Sequence, residues 1–171
     1  ERVHIRILIM KARVFFISGI CVGIVLKLFV FDIAQVSGTS MEPSIPEHSF
    51  VYIDKLAYGL VRPFGSALIF QWNEPRLGDV ITYIYNGKPV IKRYVAKAGE
   101  VLEFSCDSEY SLFVGDKTYP LTERQYQRIK FNRTVPEHTV LAIGDNSIRS
   151  VDSRDYGFID TRSILGKVIG K

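Results

Sequence analysis

Eighteen residues from Val14 to Phe31, VFFISGICVGIVLKLFVF, carry a single charge, Lys27. Wound as a helix, such a run is about 27 Å long, close to the roughly 30 Å hydrocarbon thickness of a bilayer. Lys27 stands near its far end, where a long stem carries an amine out to the headgroups. Two other structures share the pattern: a core helix of a soluble protein and a cleaved secretory leader. Against the leader, the run is long and bulky Phe29–Ile33 replaces the small residues of a cleavage site. Arg2, Arg6, Lys11 and Arg13 precede the run, and the positive-inside bias then keeps the N-terminal side in the cytoplasm. The expected organisation is a cytoplasmic tail over 1–13, a transmembrane helix over 14–31 and an external domain over 32–171.

The chain as a whole is apolar enough to bury a core: 47% of the 171 residues are hydrophobic and 23% are charged. A net charge of +4 without a run of five basic residues points away from nucleic acid. Cys21 lies in the apolar run and Cys106 far along the chain, so no internal disulfide is expected. No CxxC and no structural-zinc spacing occurs, and nothing in the sequence calls for a metal or a cofactor.

Short β-branched and aromatic runs recur at 49–53, 79–85, 90–95, 111–114 and 139–143, bounded by Gly, Pro, Asn and Asp. Asn86-Gly87 joins two of them as a hairpin turn, and Gly115-Asp116 makes another. Helical periodicity is confined to a turn or two around Thr122–Ile129. The fold class is therefore mainly β, one antiparallel domain with a small excursion over about 101–136.

Three segments carry residues able to do chemistry. In Ser37-Gly38-Thr39-Ser40-Met41-Glu42-Pro43-Ser44, the glycine and proline favour an exposed turn presenting Ser40. The same residues also make an ordinary loop. In the strand around Lys92, Val90 and Tyr94 share its face. A free lysine is neutral about once in a few thousand at pH 7, and bringing its pKa near 8 takes roughly 3 kcal/mol of unfavourable burial. A buried Lys92 could then serve Ser40 as a general base, whereas an exposed Lys92-Arg93 would be a surface pair. The third segment, Gly144–Arg154, offers Ser150, Asp152, Ser153 and Arg154 for a polar network or for an ordinary Asx-rich loop. His48 and His138 both follow Pro-Glu in turn-like sequence. A Ser-His-Asp arrangement of His138 with Asp145 or Asp152 stays open, though nothing favours it.

These segments resemble the sequence boxes of bacterial type I signal peptidases. Ser37–Ser44 is similar to S-G-x-S-M-x-P-T, with Ser44 for Thr; Gly78-Asp79-Val80-Ile81 to G-D-[IV]-V; Lys92–Glu100 to K-R-x-x-x-x-x-G-[DE]; and Gly144–Gly157 to G-D-N-x-x-x-S-x-D-S-R-x-x-G. Order, spacing and the N-terminal apolar run cover nearly the whole chain. The resemblance implies a Ser40 nucleophile, a Lys92 general base, Ser150 hydrogen-bonding the Lys92 amine, and supporting charge pairs among Arg93, Asp145, Asp152 and Arg154. It assigns the Ser40 backbone N–H to the oxyanion hole. Gly38 stands where some relatives carry a serine that completes that hole, and Ser147 where many carry arginine.

The fold and activity so implied are a membrane-bound serine endopeptidase of the cytoplasmic membrane. Its partners would be the bilayer and secretory preproteins with small residues before the cut, bound as a strand added to a sheet edge. Phe64, Phe70 and Trp72 would lie either on the bilayer surface or in the core. Other readings are a narrow-substrate relative, of mitochondrial inner-membrane or pilin-processing type, and a tethered peptide-binding domain without catalysis.

Overall fold

The computed structural model of the chain describes residues 2–63, 65–107 and 109–170. Helix α1 runs over Arg2–Val25, and a wider π-helical turn over Leu26–Val30 closes it, the Phe31 N–H donating to the Leu26 carbonyl. Helix therefore begins well before Val14, because the good helix formers Arg6, Lys11 and Arg13 extend it beyond the apolar run. It also ends sooner, since Phe31 is already the first residue of a strand. Within it, Ile9–Val30 is long and apolar enough to cross a bilayer, and none of that span is buried. A core helix would be covered on at least one face.

The strands that follow are β1 (Phe31–Gln35), β2 (Phe50–Asp54), β3 (Gly59–Val61), β4 (Leu68–Gln71), β5 (Val80–Tyr85) and β6 (Lys88–Ala96). Then come β7 (Glu103–Ser105), β8 (Ser111–Val114), β9 (Lys117–Pro120), helix α2 (Glu123–Ile129) and β10 (Thr139–Ile143). A single helical turn, α3 (Ser153–Tyr156), precedes β11 (Ile159–Asp160) and β12 (Ile164–Gly170). The main sheet is antiparallel with the order β1-β2-β12-β5-β6-β10-β11. In the β5–β6 hairpin Tyr85 faces Lys88, and Asn86 and Gly87 take φ of 48° and 74°, as a type I′ turn requires.

The excursion is a three-stranded meander, β7-β8-β9, followed by α2. Thr122 and Gln125 cap α2 reciprocally, the Thr122 side chain accepting from the Gln125 N–H and the Gln125 side chain from the Thr122 N–H. The excursion has no separate core. Leu102, Leu112, Val114 and Ile129 pack on Leu141 and Ile143 of β10, while Val140 and Ala142 point the other way, onto Ile81, Tyr83 and Ile164. β10 is thus a septum with both faces buried. Of the aromatic residues near β4, Phe70 and Trp72 are more than half exposed, and Phe64 lies outside the described residues.

Because one strand serves both cores, Leu141→Ala is expected to lower stability by about 2–5 kcal/mol. Urea unfolding followed by near- and far-UV circular dichroism should keep a single transition at a lower midpoint. Separate transitions would show that the excursion unfolds by itself.

Candidate active site

Ser40 lies in the turn that joins β1 to β2. The base of this turn is closed by Val36 N–H to the Ser49 carbonyl (2.8 Å) and His48 N–H to the Val36 carbonyl (2.9 Å). Gly38 has φ +96°, a left-handed conformation that favours glycine, and its N–H donates to Glu47 Oε1 at 2.9 Å. Met41 and Ile45, 1% and 4% exposed, plug the turn into a cluster with Val36, Val51 and Ile53. That apolar anchoring fixes the turn and leaves the half-buried Ser40 at its rim.

Lys92 sits in the middle of β6 opposite Ile81, on the buried face with Tyr94 and Ala96. It is 4% exposed, and its Nζ donates to Ser40 Oγ at 2.7 Å. Burial penalises the ammonium and lowers the Lys92 pKa; Asp152 and Asp145 oppose this and Arg154 adds to it. With the amine neutral, the same separation lets the Ser40 hydroxyl donate instead.

Arg93 points to the other face and grips Asp145 with both arms, Nε to Oδ1 and Nη2 to Oδ2, each at 2.6 Å. Its Nη1 donates to the Gly78 carbonyl at 2.8 Å, tying the Gly78-Asp79 corner to the same group. Partial burial pushes the Asp145 carboxyl up, but the hydrogen bonds from Arg93 and Ser44 outweigh it and hold it below the usual range.

Gly144 leaves β10 against the Ser40 turn. A Cβ on Gly144 would overlap both the Ser40 carbonyl oxygen and the Ser150 hydroxyl, so only glycine lets the two segments meet. The Asn146 N–H then donates to the Ser40 carbonyl at 3.0 Å. Behind them, Asp152 and Arg154 are both 0% exposed. Asp152 accepts from the Gly144 N–H at 3.0 Å and from Arg154 Nε and Nη2, each at 2.9 Å. Arg154 spends its other donors on the Pro120 carbonyl (2.8 Å) and the Ser147 carbonyl (2.6 Å).

A cavity of about 330 Å³ opens beside Ser40 and Lys92, walled by Ala34, Val36, Ile53 and Val90. β1 ends the main sheet, and the part of β6 before Arg93 pairs only with β5. Two free strand edges therefore border the cavity.

The family model described as signal peptidase, peptidase S26, matches residues 8–170. The chain belongs to the S26 signal peptidase family. It is 30% identical over 166 residues to signal peptidase I of Bacillus caldolyticus, across 88% of this chain and 84% of that protein. Signal peptidase I of Pseudomonas aeruginosa is 24% identical over 193 residues, across 89% and 68%. Thylakoidal processing peptidase 1 of Arabidopsis thaliana is 26% identical over 157 residues, across 89% of this chain and 45% of that protein.

In this S26 peptidase the residues singled out by sequence converge, with one difference. Ser150 is 5% exposed and its hydroxyl has no hydrogen-bond partner among the described residues, Lys92 included. The Lys92 amine is engaged by Ser40, and the Ser150 hydroxyl lies against Gly144. His138 stands apart from this centre, exposed and at the opposite end of β10 from Gly144. Among the described residues no three of His, Cys, Asp and Glu cluster as a metal site.

Sequence reading missed the support from the excursion. Gln125 Nε2 donates to both Asp155 carboxylate oxygens at 3.0 Å, and Asp155 accepts from the Asp152 N–H. The available signal was the Asp152-x-x-Asp155 spacing, a capping box for α3.

Asp152→Ala leaves the Arg154 guanidinium buried without its counter-ion and is expected to cost about 3–5 kcal/mol. The Arg93–Asp145 pair retains solvent access, with side chains 26% and 14% exposed, so Asp145→Ala should cost clearly less. Urea midpoints of the two variants check the order.

Proposed function

We propose that this protein is a membrane-anchored serine endopeptidase that removes signal peptides from exported preproteins, with Ser40 as nucleophile and Lys92 as general base. The observation that carries this reading is the 2.7 Å contact between Ser40 Oγ and an almost wholly buried Lys92 amine. Neutral Lys92 takes the hydroxyl proton while Ser40 Oγ bonds to the scissile carbonyl carbon. The C–N bond then breaks and the lysine returns that proton to the departing amine. Lys92 next deprotonates a water that attacks the ester, and Ser40 recovers its proton as the signal peptide leaves with a carboxylate.

The Ser40 N–H lies in the turn where the oxyanion would form, and we assign it that stabilising role. Gly38 has no side-chain donor to add a second. Arg93–Asp145 and Asp152–Arg154 serve as supports that hold the Gly144–Ser150 segment against the nucleophile, and Ser150 supplies the neighbouring hydroxyl. The substrate lies extended along the free edges of β1 and β6, and the walls of Ala34, Val36 and Val90 suit small apolar side chains before the cut. Residues 1–13 lie on the cytoplasmic side, the helix crosses the cytoplasmic membrane and the β domain stands outside, in contact with the bilayer.

The decisive experiment is cleavage of a preprotein bearing an Ala-x-Ala site, in detergent or liposomes. Specific cleavage after the second Ala, reduced about a thousandfold or more by Ser40→Ala and by Lys92→Ala in folded protein, is expected. No cleavage by folded wild type between pH 7 and 10 would sink the reading and turn attention to a narrow-substrate relative or a binding domain.

The pH dependence follows from burial of the amine. Activity should rise with pH as Lys92 loses its proton, with a midpoint below the ordinary lysine value of 10.5. The unfolded chain binds this proton more tightly than the folded one, so stability also rises between the lowered pKa and 10.5. Lys92→Met should therefore be inactive, more stable at neutral pH and free of that slope; thermal unfolding across pH checks all but the first.

A further inference from the structure

A second cavity, of about 370 Å³, lies where the apolar helix meets the β domain. Three cations line it, Lys27, Lys55 and Arg62, against the single acid Asp32. Lys55 is committed: its Nζ donates to the Lys27 carbonyl at 3.0 Å and pairs with Asp32 at 3.2 Å. The amine of Lys27 and the guanidinium of Arg62 have no hydrogen-bond or ion-pair partner among the described residues. The walls behind them are apolar, formed by Leu28, Val61, Ile84 and Leu165.

We propose that this cavity binds an anionic phospholipid, its phosphate between Lys27 and Arg62 and the first carbons of an acyl chain against the apolar wall. The inference rests on the helix crossing a bilayer, as proposed above. Lys27 belongs to the closing turn of the Ile9–Val30 span, so a membrane-crossing helix holds it at headgroup depth. Lys27 and Arg62 are exposed cations without a partner among the described residues, so the site suits an anion, which the apolar stretch of a signal peptide does not bring. The cavity shares Ala34, Ile53, Thr82 and Pro89 with the cavity beside Ser40, so the bound lipid borders the membrane-facing end of the substrate groove.

The test uses the full chain in neutral detergent, with phosphatidylglycerol or phosphatidylcholine added and retained lipid counted by native mass spectrometry. Phosphatidylglycerol should be retained about 30-fold more strongly, the factor that two cations at about 1 kcal/mol each provide. The double variant Lys27→Gln/Arg62→Gln should lose that preference, Lys27→Arg/Arg62→Lys should keep it, and both should cleave a soluble peptide substrate in detergent as wild type does. Equal retention of the two lipids, a preference that survives the glutamine variant, or displacement by millimolar inorganic phosphate would overturn the proposal. Resistance of the membrane-bound protein to carbonate extraction reports anchoring separately, so failure of the lipid site and failure of the anchor are told apart.

Discussion

Asp152 and Arg154 meet at 2.9 Å with no solvent access to either side chain, and the geometry of the site hangs on that pair. Burying two charges is unfavourable unless every donor and acceptor is used. Here that demand organises the surroundings. Arg154 must reach the Pro120 and Ser147 carbonyls, and Asp152 must take the Gly144 N–H, so the meander, the polar loop and the end of β10 are drawn to one point. From Gly144 the connection continues through Asn146 to the Ser40 carbonyl. The pair also shapes the electrostatics: Asp152 raises the Lys92 pKa and Arg154 lowers it. Their opposed effects leave desolvation to decide the direction. Without Arg154, Asp152 would oppose the desolvation of Lys92 uncompensated.

How much of this was legible in the sequence depends on whether the information was local. The strands 111–114 and 139–143, the Asn86-Gly87 hairpin and the short helix after Thr122 follow from composition and turn chemistry within a few residues. β12 did not declare itself, although it lies between β2 and β5 in the main sheet. Gly166 interrupts it and reads as a breaker, whereas in the fold a Cβ there would strike the Asp54 carbonyl. That reason belongs to the neighbouring strand and cannot be seen along the chain.

The site divides in the same way. Alternation along β6 put Lys92 and Tyr94 on one face, and that face is the buried one. The bond between Ser40 and Lys92 spans 52 positions and is made by sheet order, so spacing alone left a surface pair open. The excursion carried no readable motif because its contribution is a backbone carbonyl at Pro120 and an amide at Gln125. Backbone carbonyls leave no compositional trace. The unpartnered Ser150 hydroxyl is the opposite case: its segment was legible, but its hydrogen bonding depends on which group the Lys92 amine engages.

The join between helix and sheet bears on how a substrate is met. No linker separates them, since Phe31 follows the closing turn directly as the first residue of β1. Lys55 fastens the join: its N–H donates to the Val30 carbonyl at 2.9 Å, while its amine holds the Lys27 carbonyl and Asp32. A helix fixed this way cannot swivel freely beneath the domain. At about 3.3 Å per residue, the five residues of β1 advance roughly 17 Å from the end of the span. With the helix across a bilayer, Ser40 is therefore held at a set, short height above the surface. In the reading proposed above, a bond is cut when it is presented at that height in extended form, and the anchor acts with the cavity walled by Ala34, Val36 and Val90 in selecting where a substrate is cleaved.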